Sequence, residues 1–300
     1  MRVFVTGSTG FIGSAVVREL QEAGHQVLGL VRSDANASAL AETGAEVHRG
    51  SLDDLDSLRA GAAATDGVIH TAFNHDFTDI AAAAATDLAA VEAIGEVLVG
   101  SGRPLVIASG VGALHKGRPS VETDVADSTE PMARRMQSEV ALLALAERGV
   151  RTSAVRLPPS VHGEGDHGLV PRLIQIARDK GVSAHPGDGE NRWSAVHRLD
   201  AARLFRLALE NSPAGRVYHA IGDQGVPVRD IADAIGRHLG LPVTSVARGD
   251  EAVRHFGWLG AFFGNDVQSS SALTQQWLGW RPTGVGLLAD LEQGHYFKAL

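Results

Sequence analysis

Three glycines, Gly7, Gly10 and Gly13, carry the clearest chemical signal in the chain. They follow directly on a short apolar run centred on residues 3–5. They open a stretch in which Ile12, Val16 and Leu20 recur every four residues, the period of an amphipathic helix. A strand that turns at glycine into a helix leaves bare main-chain amides at the helix start. Those amides, with the helix dipole behind them, suit a diphosphate. The segment Gly7-Ser8-Thr9-Gly10-Phe11-Ile12-Gly13 is therefore expected to grip the diphosphate of a nicotinamide dinucleotide. Its G-x-x-G-x-x-G spacing differs slightly from the G-x-G-x-x-G fingerprint.

The second strand reads Leu30-Val31-Arg32-Ser33, with no acid at the end where an NAD site places one against the ribose hydroxyls. Arg32 suits a 2′-phosphate instead, so NADP is the expected cofactor. NAD stays open as the alternative, through Asp34. Other chemistry finds less support. No cysteine occurs, which excludes disulfides, thiolate nucleophiles and Cys-ligated metal. Thirteen histidines are present, but His70/His75 and His162/His167 are spaced by five and lack the His-Glu-x-x-His pattern, so no metal site is expected. There is no Gly-x-Ser-x-Gly elbow for a hydrolase. Asp127 and Glu130 precede a helical stretch and read as caps, not as paired catalytic carboxylates.

These residues need a scaffold to hold them. Short apolar runs near residues 3–5, 27–31, 68–70, 105–108 and 153–156 alternate with helical patterns, which implies a parallel sheet covered on both faces. Alanine-rich helices are expected over about 79–99 and 130–148. Beyond Arg156 the pattern breaks into glycine- and proline-rich loops. The expected fold is α/β, a doubly wound parallel Rossmann-like sheet with a smaller, interleaved C-terminal substrate lobe. Residues 1–160 form the dinucleotide-binding part, about 191–222 return to it, and about 161–190 and 223–300 make the lobe. The segment 256–263, rich in Phe and Trp, reads as core or subunit interface in preference to a flap over substrate.

The composition agrees with a globular chain: 44% apolar, 21% charged and a formal charge of −8. That charge argues against nucleic acid or anionic membranes as partners. The amino terminus lacks the charged start and long apolar stretch of a secretory signal, and a cytoplasmic protein is expected.

The motifs, in order, resemble the extended branch of the short-chain dehydrogenase/reductase superfamily, the NAD-dependent epimerase/dehydratase proteins. The opening glycine segment, Gly50-Ser51-Leu52-Asp53, Val68-Ile69-His70-Thr71-Ala72, the stretch from Val155 to Gly163, and Ala195-Val196-His197-Arg198-Leu199-Asp200 carry the likeness. The resemblance implies that Ser51 and Leu52 pass the adenine. It places Thr71 and Ala72 beside the cofactor, and Pro158 and Val161 against the nicotinamide. It also implies pairing into a homodimer through the alanine-rich helices.

Catalysis in that family rests on Ser/Thr, Tyr and Lys, the last four residues after the Tyr. Here the only tyrosines are Tyr218 and Tyr296, and neither begins a Tyr-x-x-x-Lys. Matching Glu139 and its helix to the family puts Pro131 at the tyrosine, Arg135 at the lysine, and Gly110 at the serine, with Ser109 next to it. Losing a general acid costs about 10²–10⁴-fold and does not forbid hydride transfer, which is the cofactor's chemistry. Ser109, His115, Arg135 and His162 lie on segments expected at the strands' carboxyl ends. His162 could donate a proton near neutral pH or simply pack as a loop histidine. Arg135 could hold a ribose hydroxyl or an oxyanion. The expected activity is an atypical NAD(P)-dependent oxidoreductase acting on a small carbonyl-like or imine-like substrate. The alternatives are an NAD(P)-binding regulator or scaffold without redox turnover, and a sugar-nucleotide epimerase/dehydratase.

Overall fold

A computed structural model describes residues 1–74, 79–114, 117–126 and 131–298 of the chain. Its strands in chain order are β1 (Arg2–Thr6), β2 (Gln26–Val31), β3 (Glu46–Arg49), β4 (Gly67–His70), β5 (Pro104–Gly110) and β6 (Arg151–Leu157). They continue with β7 (Ser160–His162), β8 (Ser183–Pro186), β9 (Arg192–His197), β10 (Arg216–His219), β11 (Asp223–Pro227) and β12 (Val243–Val246). The longer helices are α1 (Phe11–Glu22), α2 (Asp34–Glu42), α3 (Leu55–Ala63), α4 (Ile80–Leu98), α5 (Gln137–Ala144), α6 (Leu169–Lys180), α7 (Arg198–Asn211) and α8 (Val228–Leu239). Four short ones follow, α9 (Asp250–Phe256), α10 (Gly260–Phe263), α11 (Ala272–Leu278) and α12 (Leu287–Glu292).

Seven strands form one parallel sheet in the order β3-β2-β1-β4-β5-β6-β10. The apolar runs are continuous because both faces are covered, and successive side chains point to opposite faces. Val3 and Val5 pack with Val16 and Leu20 of α1, Leu40 of α2 and Phe205 of α7. Phe4, between them, packs on the other face with Leu58 of α3, Ile94 of α4 and Leu142 of α5. The winding reverses between β1 and β4, so a crevice opens at their carboxyl ends, where open α/β sheets bind ligands.

The second lobe holds a small sheet, β11-β9-β7, and a parallel pair, β8 and β12. Here the structure revises the expected boundaries. The segment 191–222 divides: β9 pairs with β7 in the small sheet, and only α7 and β10 return to the large one. The reason is burial on two sides, since Trp193 and Ala195 face the lobe's core while Val196 faces the nucleotide half. An apolar run does not announce which sheet it joins. The aromatic segment resolves as core, with Phe256, Leu259 and Phe263 buried and Phe263 meeting the Trp193 ring at 4.9 Å between centroids. The helix expected over 130–148 is α5 flanked by 3-10 turns, Pro131–Met136 and Leu145–Arg148.

Candidate functional site

The glycine turn sits at the end of β1, against the switch point. Gly7 has φ +69, and a Cβ there would meet the Ala72 amide nitrogen at 2.8 Å. A Cβ on Gly13 would lie 2.0 Å from the Gly7 carbonyl oxygen, main chain against main chain. Gly10 closes the turn, its amide donating to the Gly7 carbonyl at 2.9 Å. It caps α1 without a side-chain hydrogen bond, so the first amides of the helix keep no partner among the described residues. The result is a cradle that admits only glycine at positions 7 and 13 and presents bare donors, which fits a diphosphate. Thr9, Phe11 and Ile12 line it half-buried. Ser8 contributes main chain alone, because its buried hydroxyl donates to the Leu30 carbonyl at 3.0 Å.

Across the crevice, Thr71 and Ala72 are wired to β1. The Thr71 hydroxyl donates to the Thr6 carbonyl at 2.8 Å, and the Ala72 amide donates to Thr6 Oγ1 at 3.3 Å. Thr6 Oγ1 also meets His70 Nδ1 at 2.8 Å, and His70 Nε2 meets Asp87 Oδ1 of α4 at 3.1 Å. The Ser138 hydroxyl of α5 donates to the second Asp87 oxygen. This buried chain anchors the crevice floor to two helices. Sequence reading missed Asp87 and Ser138, since polar residues 51 positions apart that meet across two helices carry no local spacing signal.

At the adenosine end, Arg32 is exposed and makes no ion pair among the described residues. Asp34 pairs with Arg49, the β3 residue in register with Val31, and Ser33 caps α2 by accepting from the Asn36 amide at 3.2 Å. The acid that could have served the ribose is thus drawn to an arginine. Ser51 and Leu52 follow β3 half-buried.

The catalytic candidates separate. Ser109 and Arg135 each contact a neighbour of their own: the Ser109 hydroxyl points to Met136 Sδ at 3.6 Å, and the Arg135 guanidinium lies 4.0 Å from the Phe73 ring centroid. Burial lowers the Arg135 pKa, with the Asp87 charge opposing that shift. His162 does not join them. It is fully buried in β7, its Nδ1 2.9 Å from Asp290 Oδ2 and its ring 5.6 Å from that of His197, while Nε2 has no hydrogen-bond partner among the described residues. His115 lies outside the described residues, as do Asp127 and Glu130. Pro158 is buried and Val161 half-buried beside the carboxyl end of β6. Neither tyrosine stands in for the missing acid. The Tyr218 hydroxyl donates to Ser212 at 2.9 Å within the core, and that of Tyr296 donates to Asp166 at 3.0 Å. Burial, and then the Asp166 charge, push the Tyr296 hydroxyl well above its ordinary pKa.

Beyond β5 a cavity of about 350 Å³ opens towards the second lobe, lined by Val111, Leu114, Arg118, Ser120, Asn265 and Val267 among others. Its size suits a small molecule. Among the described residues, a Cβ at Gly110 would touch only the Leu157 carbonyl, at 3.8 Å.

Related proteins match most of the chain. An uncharacterized protein of Schizosaccharomyces pombe is 51% identical over 297 residues, covering 99% of this chain and 100% of its own. The 2-alkyl-3-oxoalkanoate reductase of Stenotrophomonas maltophilia is 31% identical over 264 residues, 81% of this chain and 77% of the reductase. Among solved structures, the dTDP-glucose 4,6-dehydratase DesIV of Streptomyces venezuelae, crystallised with NAD and TYD bound, superposes with a TM-score of 0.80. That match has 23% identity and covers 99% of this chain and 97% of the other. The family model that matches residues 3–221 spans the glycine cradle, the switch point and every strand of the large sheet. By that match and by its cradle, the chain belongs to the NAD dependent epimerase/dehydratase family.

Proposed function

We propose that this protein is an NAD(P)-dependent oxidoreductase that acts on a small carbonyl-like or imine-like substrate, with NADP its preferred cofactor. The observation that carries the reading is the cradle at Gly7, Gly10 and Gly13, where a methyl at position 7 or 13 would collide with main chain. The Stenotrophomonas relative, whose name describes reduction of a 3-oxoalkanoate, supports a carbonyl substrate. Bound nicotinamide would supply or accept the hydride. The chain's own residues would do the rest. Amides at the start of α1 would hold the diphosphate, Arg32 the 2′-phosphate, and residues 158–161 would border the ring. Arg135, already poised beside Phe73, would hold a ribose hydroxyl or a developing oxyanion. Because His162 is enclosed by Asp290 and His197, solvent or the substrate's own acidic group would supply the proton.

The test is turnover. Purified protein is offered NADPH with a panel of ketones, aldehydes and imines, and sustained loss of the nicotinamide absorbance is expected on at least one. Arg32→Ala should weaken NADP⁺ about tenfold, the scale of one lost charge-assisted contact, and leave NAD⁺ unchanged. Equal effects on both dinucleotides would remove the NADP preference. A second reading, cofactor binding without redox chemistry, draws on the placement of both tyrosines away from the β5 cavity. Tight dinucleotide binding with no turnover across a broad panel would favour it.

A further inference from the structure

A dinucleotide diphosphate carries two negative charges, and the glycine cradle opposes them with main-chain dipoles alone. An arginine reaches the residue that opens the helix behind that cradle. Arg198, the first residue of α7, places its guanidinium 5.0 Å from the ring centroid of Phe11, the first residue of α1. The two helices pack together on one face of the sheet, and both start at its carboxyl edge, so their first turns are neighbours.

The arginine is held from above. A Cβ on Gly163 would lie 3.3 Å from Arg198 Cγ, and one on Gly165 would lie 3.7 Å from Nη1. The loop lies close along the side chain, and its path requires glycine at both positions because their φ values are +138 and +83. Arg198 Nη1 donates to the Glu164 carbonyl at 3.0 Å, and among the described residues no carboxylate pairs with the guanidinium. The same loop puts His167 edge-on to Phe11, at 5.8 Å between centroids. Tyr296 fastens it, donating to Asp166 and accepting from the Gly163 amide at 3.1 Å.

A half-buried guanidinium without an acid, oriented by a loop onto the residue that begins the diphosphate helix, is arranged for an anion arriving from outside the chain. We propose that Arg198 binds the cofactor diphosphate, so that the second lobe supplies the charge the glycine turn lacks. The proposal rests on the NAD(P) reading of the cradle. It assigns Arg198 a duty separate from that of Arg32: the diphosphate is common to both dinucleotides, whereas the 2′-phosphate belongs to one.

Calorimetric titration of the full chain with NAD⁺ and with NADP⁺ separates the cases. Arg198→Ala should weaken both about tenfold and by the same factor, and should flatten the dependence of affinity on salt. Arg198→Lys, which keeps the charge, should recover part of the loss, and an unchanged melting temperature shows that the fold is intact. Should Arg198→Ala unfold the chain, Arg198→Gln carries the same comparison. Folded Arg198→Ala protein binding both dinucleotides as tightly as the native chain would overturn the proposal while leaving the cofactor reading in place. Loss confined to NADP⁺ would also overturn it. A native chain that binds neither dinucleotide would bring down the cofactor reading first, and this inference with it.

Discussion

A methyl group at position 13 would stand 2.0 Å from the Gly7 oxygen, and neither partner can swing aside as a side chain would. Gly13→Ala must therefore open the turn. We expect it to abolish measurable dinucleotide binding and to lower stability by about 1–3 kcal/mol, the usual cost of overpacking. Calorimetry and urea unfolding would measure both. At Gly10 the nearest atom to an added Cβ is 3.2 Å away, so Gly10→Ala should weaken binding without abolishing it. If both variants bind like the native protein, the turn is not the diphosphate site. The glycine pattern was readable from sequence because a tight turn selects its own residues. The inward hydroxyl of Ser8 was not, for it depends on a carbonyl 22 positions along the chain.

Elements are joined by a second buried device. Arg156 of β6 pairs with Glu139 of α5, both almost wholly enclosed, and its Nη1 donates to the Asp124 carbonyl at 2.9 Å. One guanidinium thus locks a central strand to a helix and to the 122–124 segment that precedes it. Glu139→Gln leaves a buried cation without its counter-charge, and a loss of about 3–5 kcal/mol is expected in urea unfolding. The double replacement Arg156→Met with Glu139→Leu should cost less than the two single changes added together, because no charge is then stranded. Additive losses would mean that the pair is not coupled. Sequence periodicity located the helix containing Glu139 but drew it too long. Its ends are 3-10 turns, and the short stretch of regular helix depends on packing against α4 and β6.

At the scale of the whole molecule, acid is the expected weakness. His219 joins the last strand of the large sheet to the second lobe, donating from Nδ1 to the Ser270 carbonyl at 2.9 Å while Nε2 faces Arg156. Burial, and then the neighbouring Arg156 charge, lower its pKa from 6.5 to about 3. Between those values the unfolded chain binds a proton that the folded chain refuses. Stability from this group is whole above the unfolded value and falls as the pH drops, by at most about 1.4 kcal/mol per pH unit. Asp290 acts in the same direction further down. Burial opposes its ionisation, but hydrogen bonds with His162 and His295 hold its pKa below 3.8, so its contribution fades as the pH falls through the folded value. Urea midpoints at pH 7.5 and 5 should show a marked drop in the native chain and a smaller one in His219→Gln. An equal drop in both would show that His219 is not the source.

The sequence alone determined the alternation of strands and helices, the glycine turn and the absence of a Tyr-x-x-x-Lys, since each depends on residues close together in the chain. Only the tertiary structure decided that β9 joins the small sheet, that Asp290 encloses a histidine 128 positions earlier, and that Arg198 reaches Phe11. Local conformation follows from steric preference and the period of apolar residues, both of which can be read one window at a time. Contacts between distant segments follow from how whole layers settle against one another, and they leave no spacing in the chain by which to find them.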